Sequence, residues 1–176
     1  MDQELLKKAR RRRMRRWGIL AVIICLVAAS LLGLKLAGGK MALPIGEKSA
    51  TVEISCDQLA KDPSVLKKKD LLSYIPKDGV ILAKTPYKFE KGATVYDALA
   101  DLCKAKHIHM ESKFDSTYQS YYVKGIGHLY EFDAGKRSGW MFQVNGEVPE
   151  YGAGKVELHQ GDHVRWYYVV DYTKKN

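Results

Sequence analysis

A run of 17 residues without a charge, Gly18–Leu34 (GILAVIICLVAASLLGL), comes directly after a basic block and limits what the chain can become more than any other feature. At about 1.5 Å rise per helical residue the run covers roughly 25 Å, close to the thickness of a bilayer core once Trp17 and Leu36–Gly38 are added. Residues 1–16 hold eight Lys/Arg and two acids. Such a cluster before a span is expected to stay in the cytoplasm and to place the rest of the chain outside the cell. Lys35 can snorkel to the outer interface. The expected organisation is a cytoplasmic basic tail (1–16), a single transmembrane anchor (17–38), a tether (39–49) and an extracellular domain (50–173). Cleavage as a signal peptide is the alternative, at Ala28-Ala29-Ser30 or Ala37-Gly38-Gly39. Leu31–Leu34 continue the apolar run past the first of these, which favours an uncleaved anchor.

The formal charge of +9 resembles a nucleic-acid signal until it is mapped. Residues 47–176 hold 19 bases and 18 acids, so the domain is nearly neutral. A charged polymer such as nucleic acid is therefore not an expected partner.

Within the domain, hydrophobic periodicity sets the elements. Ala50, Val52, Ile54 and Cys56 alternate with polar residues, as in a half-buried strand. Asp57–Lys69, interrupted by Pro63, reads as a short helix or an irregular crossing. Pro76-Lys-Asp-Gly79 is a turn into a second strand from Val80 to near Phe89, and Pro86 places that strand at an edge or a bulge. Thr94-Val-Tyr-Asp97 opens the main helix in capping-box fashion, with Val95, Ala98, Leu99, Leu102 and Cys103 on one face. Alternation over Ile108–Phe114 predicts a strand. Tyr118–Val123, Leu129–Phe132 and Trp140–Val144 read as further short strands. Asn145-Gly146 marks a hairpin, and Gly161-Asp162 leads into a last strand through Val164, Trp166, Tyr168 and Val170. This order is α+β, with one helix covering a mixed or antiparallel sheet.

Chemistry is scarce. The chain has no GxSxG, P-loop, HExxH or CxxC pattern. His107 and His109 share a strand face with Glu111 nearby, which falls short of a metal-ligand set. Glu131 with Asp133, and Glu147 near Glu150, read as surface carboxylates rather than an acid/base pair. No enzyme activity, resident cofactor or metal is expected. Cys56 and Cys103 lie outside the membrane. If the helix packs on the sheet they can form a disulfide, and otherwise they are two small buried apolar groups.

Several segments occur together in order: PKDGVIL (76–82), VYDAL (95–99), YQSYYVKGIG (118–127), LYEFD (129–133), SGWMFQVNG (138–146), Tyr151-Gly152 and GDHVRW (161–166). They resemble a bacterial domain-of-unknown-function family related to the carboxy-terminal domain of transcobalamin and intrinsic factor. The resemblance covers about residues 50–172. It implies a β-grasp-like fold and a secreted or surface-exposed protein, often tethered to Gram-positive membranes. It also implies that cobalamin, or another corrinoid-like small molecule, is a possible ligand. The helical barrel that closes over cobalamin in transcobalamin has no counterpart here, so tight binding would need a partner. The family pattern carries further cysteines near the positions of Ala134, Ala153 and Val170, and their joint absence supports Cys56 with Cys103 as a pair.

The candidate ligand contacts are Tyr118, Tyr121, Ser138, Trp140, Asn145 and Tyr151. Aromatic rings can pack on a flat ring system, and Ser138 and Asn145 can bond to amide arms. Trp140 alternates with Phe142 and Val144 and so also fits the core, and Asn145 is explained by its turn. Tyr118 and Tyr121 fall on opposite faces of a regular strand. The alternative function is a cell-surface interaction module that binds a transporter subunit or a cell-wall protein through exposed tyrosines and strand edges.

Overall fold

A computed structural model describes residues 48–174. The expected tail and anchor, and the tether up to residue 47, lie outside the described residues. Among the described residues no helix is long and apolar enough to cross a membrane. The chain divides at Gly46, and the described elements belong to the unit Glu47–Asn176.

The alternating segment at the start forms β1 (Lys48–Ser55), two residues earlier than expected. The interrupted stretch after it becomes α1 (Asp57–Lys61) and two 3-10 turns, Pro63–Val65 and Lys69–Tyr74. Then come β2 (Val80–Phe89), α2 (Val95–Ala105), β3 (Met110–Asp115), β4 (Ser120–Ile126), β5 (Leu129–Tyr130), β6 (Gly139–Val144), a 3-10 turn at Ala153–Lys155, and β7 (His163–Val169). The α+β class is as the periodicities require.

The strands form two sheets. The larger has the order β2-β1-β7-β6, and the smaller has the order β3-β4-β5. β1 pairs with β7 in parallel and with β2 in antiparallel, while β6 pairs with β7 in antiparallel. The first and last strands thus lie side by side in the middle. Pro86 sits on β2, an edge of this sheet, where its missing N–H costs no ladder bond.

One face of the larger sheet carries the core. Ala50, Val52 and Ile54 of β1 and Val164 and Trp166 of β7 meet the apolar face of α2, formed by Val95, Ala98, Leu99, Leu102 and Cys103. Burying each large apolar side chain is worth about 1.5–3 kcal/mol. A capping box starts α2: Asp97 N–H donates to Thr94 Oγ1 at 3.2 Å, and Thr94 N–H donates to Asp97 Oδ2 at 2.8 Å.

In the smaller sheet three strand boundaries differ from expectation where a non-glycine residue takes a positive φ. His107 (φ 55°) ends α2, with Ile108 N–H on the Cys103 carbonyl at 2.8 Å and His107 N–H on Lys104. That closure delays β3 to Met110. Tyr118 lies in a turn rather than a strand, before Gln119 (φ 49°). Phe132 (φ 68°) stops β5 at Tyr130.

The expected disulfide is not formed: Cys56 and Cys103 are both free and buried. Cys103 belongs to the cluster under α2, whereas Cys56 packs with Leu59, Leu129 and Tyr168 in a second cluster. The reason is that the main chain turns into α1 directly after β1, which commits Cys56 to the α1 end of the core. Burial pushes the Cys56 thiol up to about 12, helped by the Asp57 and Asp78 carboxylates, and the Cys103 thiol to about 11. Both are apolar fillers rather than reactive thiols.

Candidate functional site

Of the six expected ligand contacts, the fold consumes three. Ser138 is only 2% exposed. Its hydroxyl donates to the Gly135 carbonyl at 2.9 Å, accepts from Ala134 N–H at 3.1 Å, and lies 3.0 Å from the Tyr168 hydroxyl. Trp140 stands edge-on to Tyr168 and donates its indole N–H to the Leu129 carbonyl at 2.9 Å. Asn145 joins two turns: its amide donates to Asp162 Oδ1 at 2.8 Å, and its Oδ1 accepts from His163 N–H at 2.9 Å. Each of these polar groups thus already holds a partner within the domain.

The other three are tyrosines at or beside one cleft. A cleft of roughly 390 Å³ is lined by Asp115, Tyr118, Ser120, Tyr121, Tyr122 and Gly152. Tyr151 adjoins it through Gly152 and is 66% exposed. The turn that takes Tyr118 out of β4 is what lets it share a cleft with Tyr121. Asp115 builds that turn, since its Oδ1 accepts from Thr117 N–H at 2.8 Å and Tyr118 N–H at 3.3 Å.

The walls are held from both sides. Tyr121 stacks on Tyr96 of α2, with ring centroids 4.0 Å apart and planes 5° apart, and Phe114 meets it edge-on at 5.3 Å. The Tyr96 hydroxyl is fixed by Ser112 Oγ at 2.8 Å. Loop 151–154 presses onto β4, and Gly154 N–H donates to Ser120 Oγ at 3.1 Å. At Gly152 a Cβ would meet that oxygen at 2.4 Å, so only glycine allows the approach. Tyr122 donates its hydroxyl to Glu131 Oε2 at 2.5 Å; burial and that carboxylate raise its pKa to about 12.

Sequence reasoning missed Asp115, Ser120, Tyr122 and Gly152 as lining residues and Tyr96 as the buttress. The density of tyrosines from 118 to 130 was the available signal. A second groove of roughly 480 Å³, lined by Met141, Gln143, Tyr167 and Val169 among others, holds none of the expected contacts. Of the histidines, His109 stacks on His128 at 4.5 Å and bonds the Tyr130 hydroxyl at 2.7 Å. Among the described residues no group of three or more His, Cys, Asp or Glu is placed to hold a metal.

The fold and the cleft define an α+β domain with a preformed aromatic groove beside its smaller sheet. Residues 92–169, a stretch that includes the SGWMFQVNG and GDHVRW segments, match the model of a family described as a domain of unknown function (DUF4430). Two solved structures are similar. One is a Ruminococcus gnavus ATCC 29149 protein described as a candidate metal-binding protein, with 13% identity and a TM-score of 0.43 over 72% of this chain and 100% of that one. The other is haptocorrin in complex with Cbi, with 14% identity and a TM-score of 0.48 over 70% of this chain and 25% of that one. No curated protein matches the chain.

Proposed function

We propose that this is a membrane-tethered extracytoplasmic protein that binds a small, partly apolar ligand in the tyrosine cleft and catalyses no reaction. The observation that carries the reading is the convergence of Tyr118 and Tyr121, with Tyr151 alongside, on one groove whose walls are already fixed. A preformed cleft of this size suits a small molecule. The strand order, with a first hairpin, a crossing helix and a last strand parallel to the first, supports a β-grasp-like assignment.

Cobalamin or another corrinoid is the ligand the family resemblance brings forward. An open cleft on one domain would hold it no better than about micromolar, near −8 kcal/mol. The test is titration of the full chain, in non-ionic detergent, with corrinoids and other flat amphipathic molecules, read on isotope-labelled tyrosine rings. Movement of the Tyr118 and Tyr121 signals, abolished by Tyr118→Ala, is the expected outcome. Silence across the set would hand the lead to the interaction-module reading. The 71% exposure of Tyr118, which leaves a prominent anchor for a protein partner such as a transporter subunit or wall protein, favours that second reading.

The tether has its own test. Lys155 is exposed, and Cys56 and Cys103 are buried. A membrane-impermeant thiol reagent should label the Lys155→Cys variant in intact cells. Labelling that requires lysis would overturn the extracellular placement.

A further inference from the structure

We propose that the tyrosine cleft binds a quaternary ammonium group. The inference rests on the cleft being the ligand site and adds the chemistry of what enters it. No Lys, Arg or His is among the lining residues, and the single formal charge is Asp115. Both hydrogen bonds of that carboxylate among the described residues fall on Oδ1. The turn therefore fixes the orientation of the side chain while Oδ2 carries no bond. An anion would meet this carboxylate with no compensating positive charge.

The aromatic walls point the same way. Tyrosine faces carry negative electrostatic potential and attract a cation placed over them. Tyr121 is held by Tyr96 stacked on one face and by Phe114 edge-on, which prevents the ring from turning away, and it is still 41% exposed. Tyr118 is open to solvent.

The hydrogen-bond inventory separates the kinds of ligand. Ser120, the one lining hydroxyl on an aliphatic side chain, is 4% exposed and already accepts from Gly154 N–H. The Tyr122 hydroxyl is committed to Glu131. The acceptors that remain are Asp115 Oδ2 and the Tyr118 and Tyr121 hydroxyls, too few for the many N–H groups of an amide-rich molecule. A trimethylammonium group has no N–H to satisfy and presents methyl surface to the rings. The shared chemistry covers free choline and the choline headgroup of a lipid.

The experiment monitors labelled tyrosine rings of the full chain in a non-ionic detergent while choline is added. In parallel runs its uncharged carbon isostere, 3,3-dimethylbutan-1-ol, and a short-chain phosphocholine lipid below its micelle concentration are added. Choline should move the Tyr118 and Tyr121 signals, with Tyr87 and Tyr168 unmoved as reporters of an intact fold. The isostere should bind about tenfold more weakly. Asp115→Asn keeps an acceptor for the turn and removes the charge, so it should weaken choline about five- to tenfold and leave the isostere unchanged. A lipid that binds tighter than choline would assign the site to a headgroup, and the reverse to a free metabolite. Equal binding of choline and its isostere, or an Asp115→Asn variant with unaltered choline affinity, overturns the proposal. Corrinoid binding at these tyrosines without any response to choline would refute the ammonium inference and keep the ligand cleft. No response to any compound would refute both.

Discussion

Leu99→Ala should destabilise the domain by about 2–5 kcal/mol, the range for truncating a fully buried leucine that leaves a cavity. Leu99 has no exposed surface and lies mid-face on α2 within the cluster that includes Val52, Ile54, Val164 and Trp166. The sheet beneath is fixed on both sides of β1 by ladder hydrogen bonds, so the backbone cannot settle into the hole. The measurement is urea unfolding of the full chain in mild detergent, monitored by tryptophan fluorescence. A loss below about 1 kcal/mol would mean that α2 does not pack on the sheet as described. Against a typical total stability of about 5–15 kcal/mol, the expected loss is large enough to lower the folded yield in cells.

Asp162→Ala should cost about 2–4 kcal/mol although it removes no apolar surface, because it strands donors at a nearly dry position. Asp162 is 8% exposed. One oxygen accepts from the Asn145 amide at 2.8 Å and the other from His159 N–H at 2.7 Å. Asn145, held at φ 54°, uses its own Oδ1 to accept from His163 N–H, so the turns after β6 and before β7 are tied through two side chains. Removing the carboxylate loses two of the bonds that join these turns, while those between Asn145 and His163 remain. Asp162→Asn should lie between wild type and Asp162→Ala, since it keeps one acceptor. Equal stability of Asp162→Ala and wild type would show that the tie contributes nothing. The same unfolding assay decides it, and the Tyr118 ring signals should stay in place, because the tie does not touch the cleft.

This pair of side chains also shows where reading residues one at a time stops. Asn145-Gly146 and Gly161-Asp162 are each legible as turns, yet nothing in either announces the other. β1, α2 and β7 are legible from periodicity because each has one face in the core, and β2 from the turn that precedes it. The division into two sheets is not, since alternation reports which way a side chain points and not which strand lies alongside. β3, β4 and β5 pair only among themselves through contacts that a face pattern leaves unspecified.

At the site, the tyrosines are what the fold brings to one cleft, and the polar candidates lie elsewhere. Ser138, Trp140 and Asn145 have the donors and acceptors a ligand needs, but backbone groups and neighbouring turns claim them first. Tyr118 and Tyr121 read as occupying opposite strand faces because no glycine precedes them to signal a turn. Gln119 takes the positive φ instead, and the carboxylate of Asp115 stabilises the turn that requires it. Cys56 and Cys103 illustrate the same limit, because two thiols on packed elements can still fall in different clusters.

Placing β7 inside the larger sheet gives residues 163–169 an authority over the whole domain. β7 supplies ladder partners to β1 on one side and to β6 on the other. A chain that stops before His163 therefore lacks its keystone rather than an edge. During synthesis and any passage through a narrow pore, β1 waits on the order of a hundred residues for its neighbour, so folding is governed by the arrival of the final segment and completes in one late step. Premature termination should yield an open sheet with two unpaired edges, a substrate for proteases and not a smaller version of the protein.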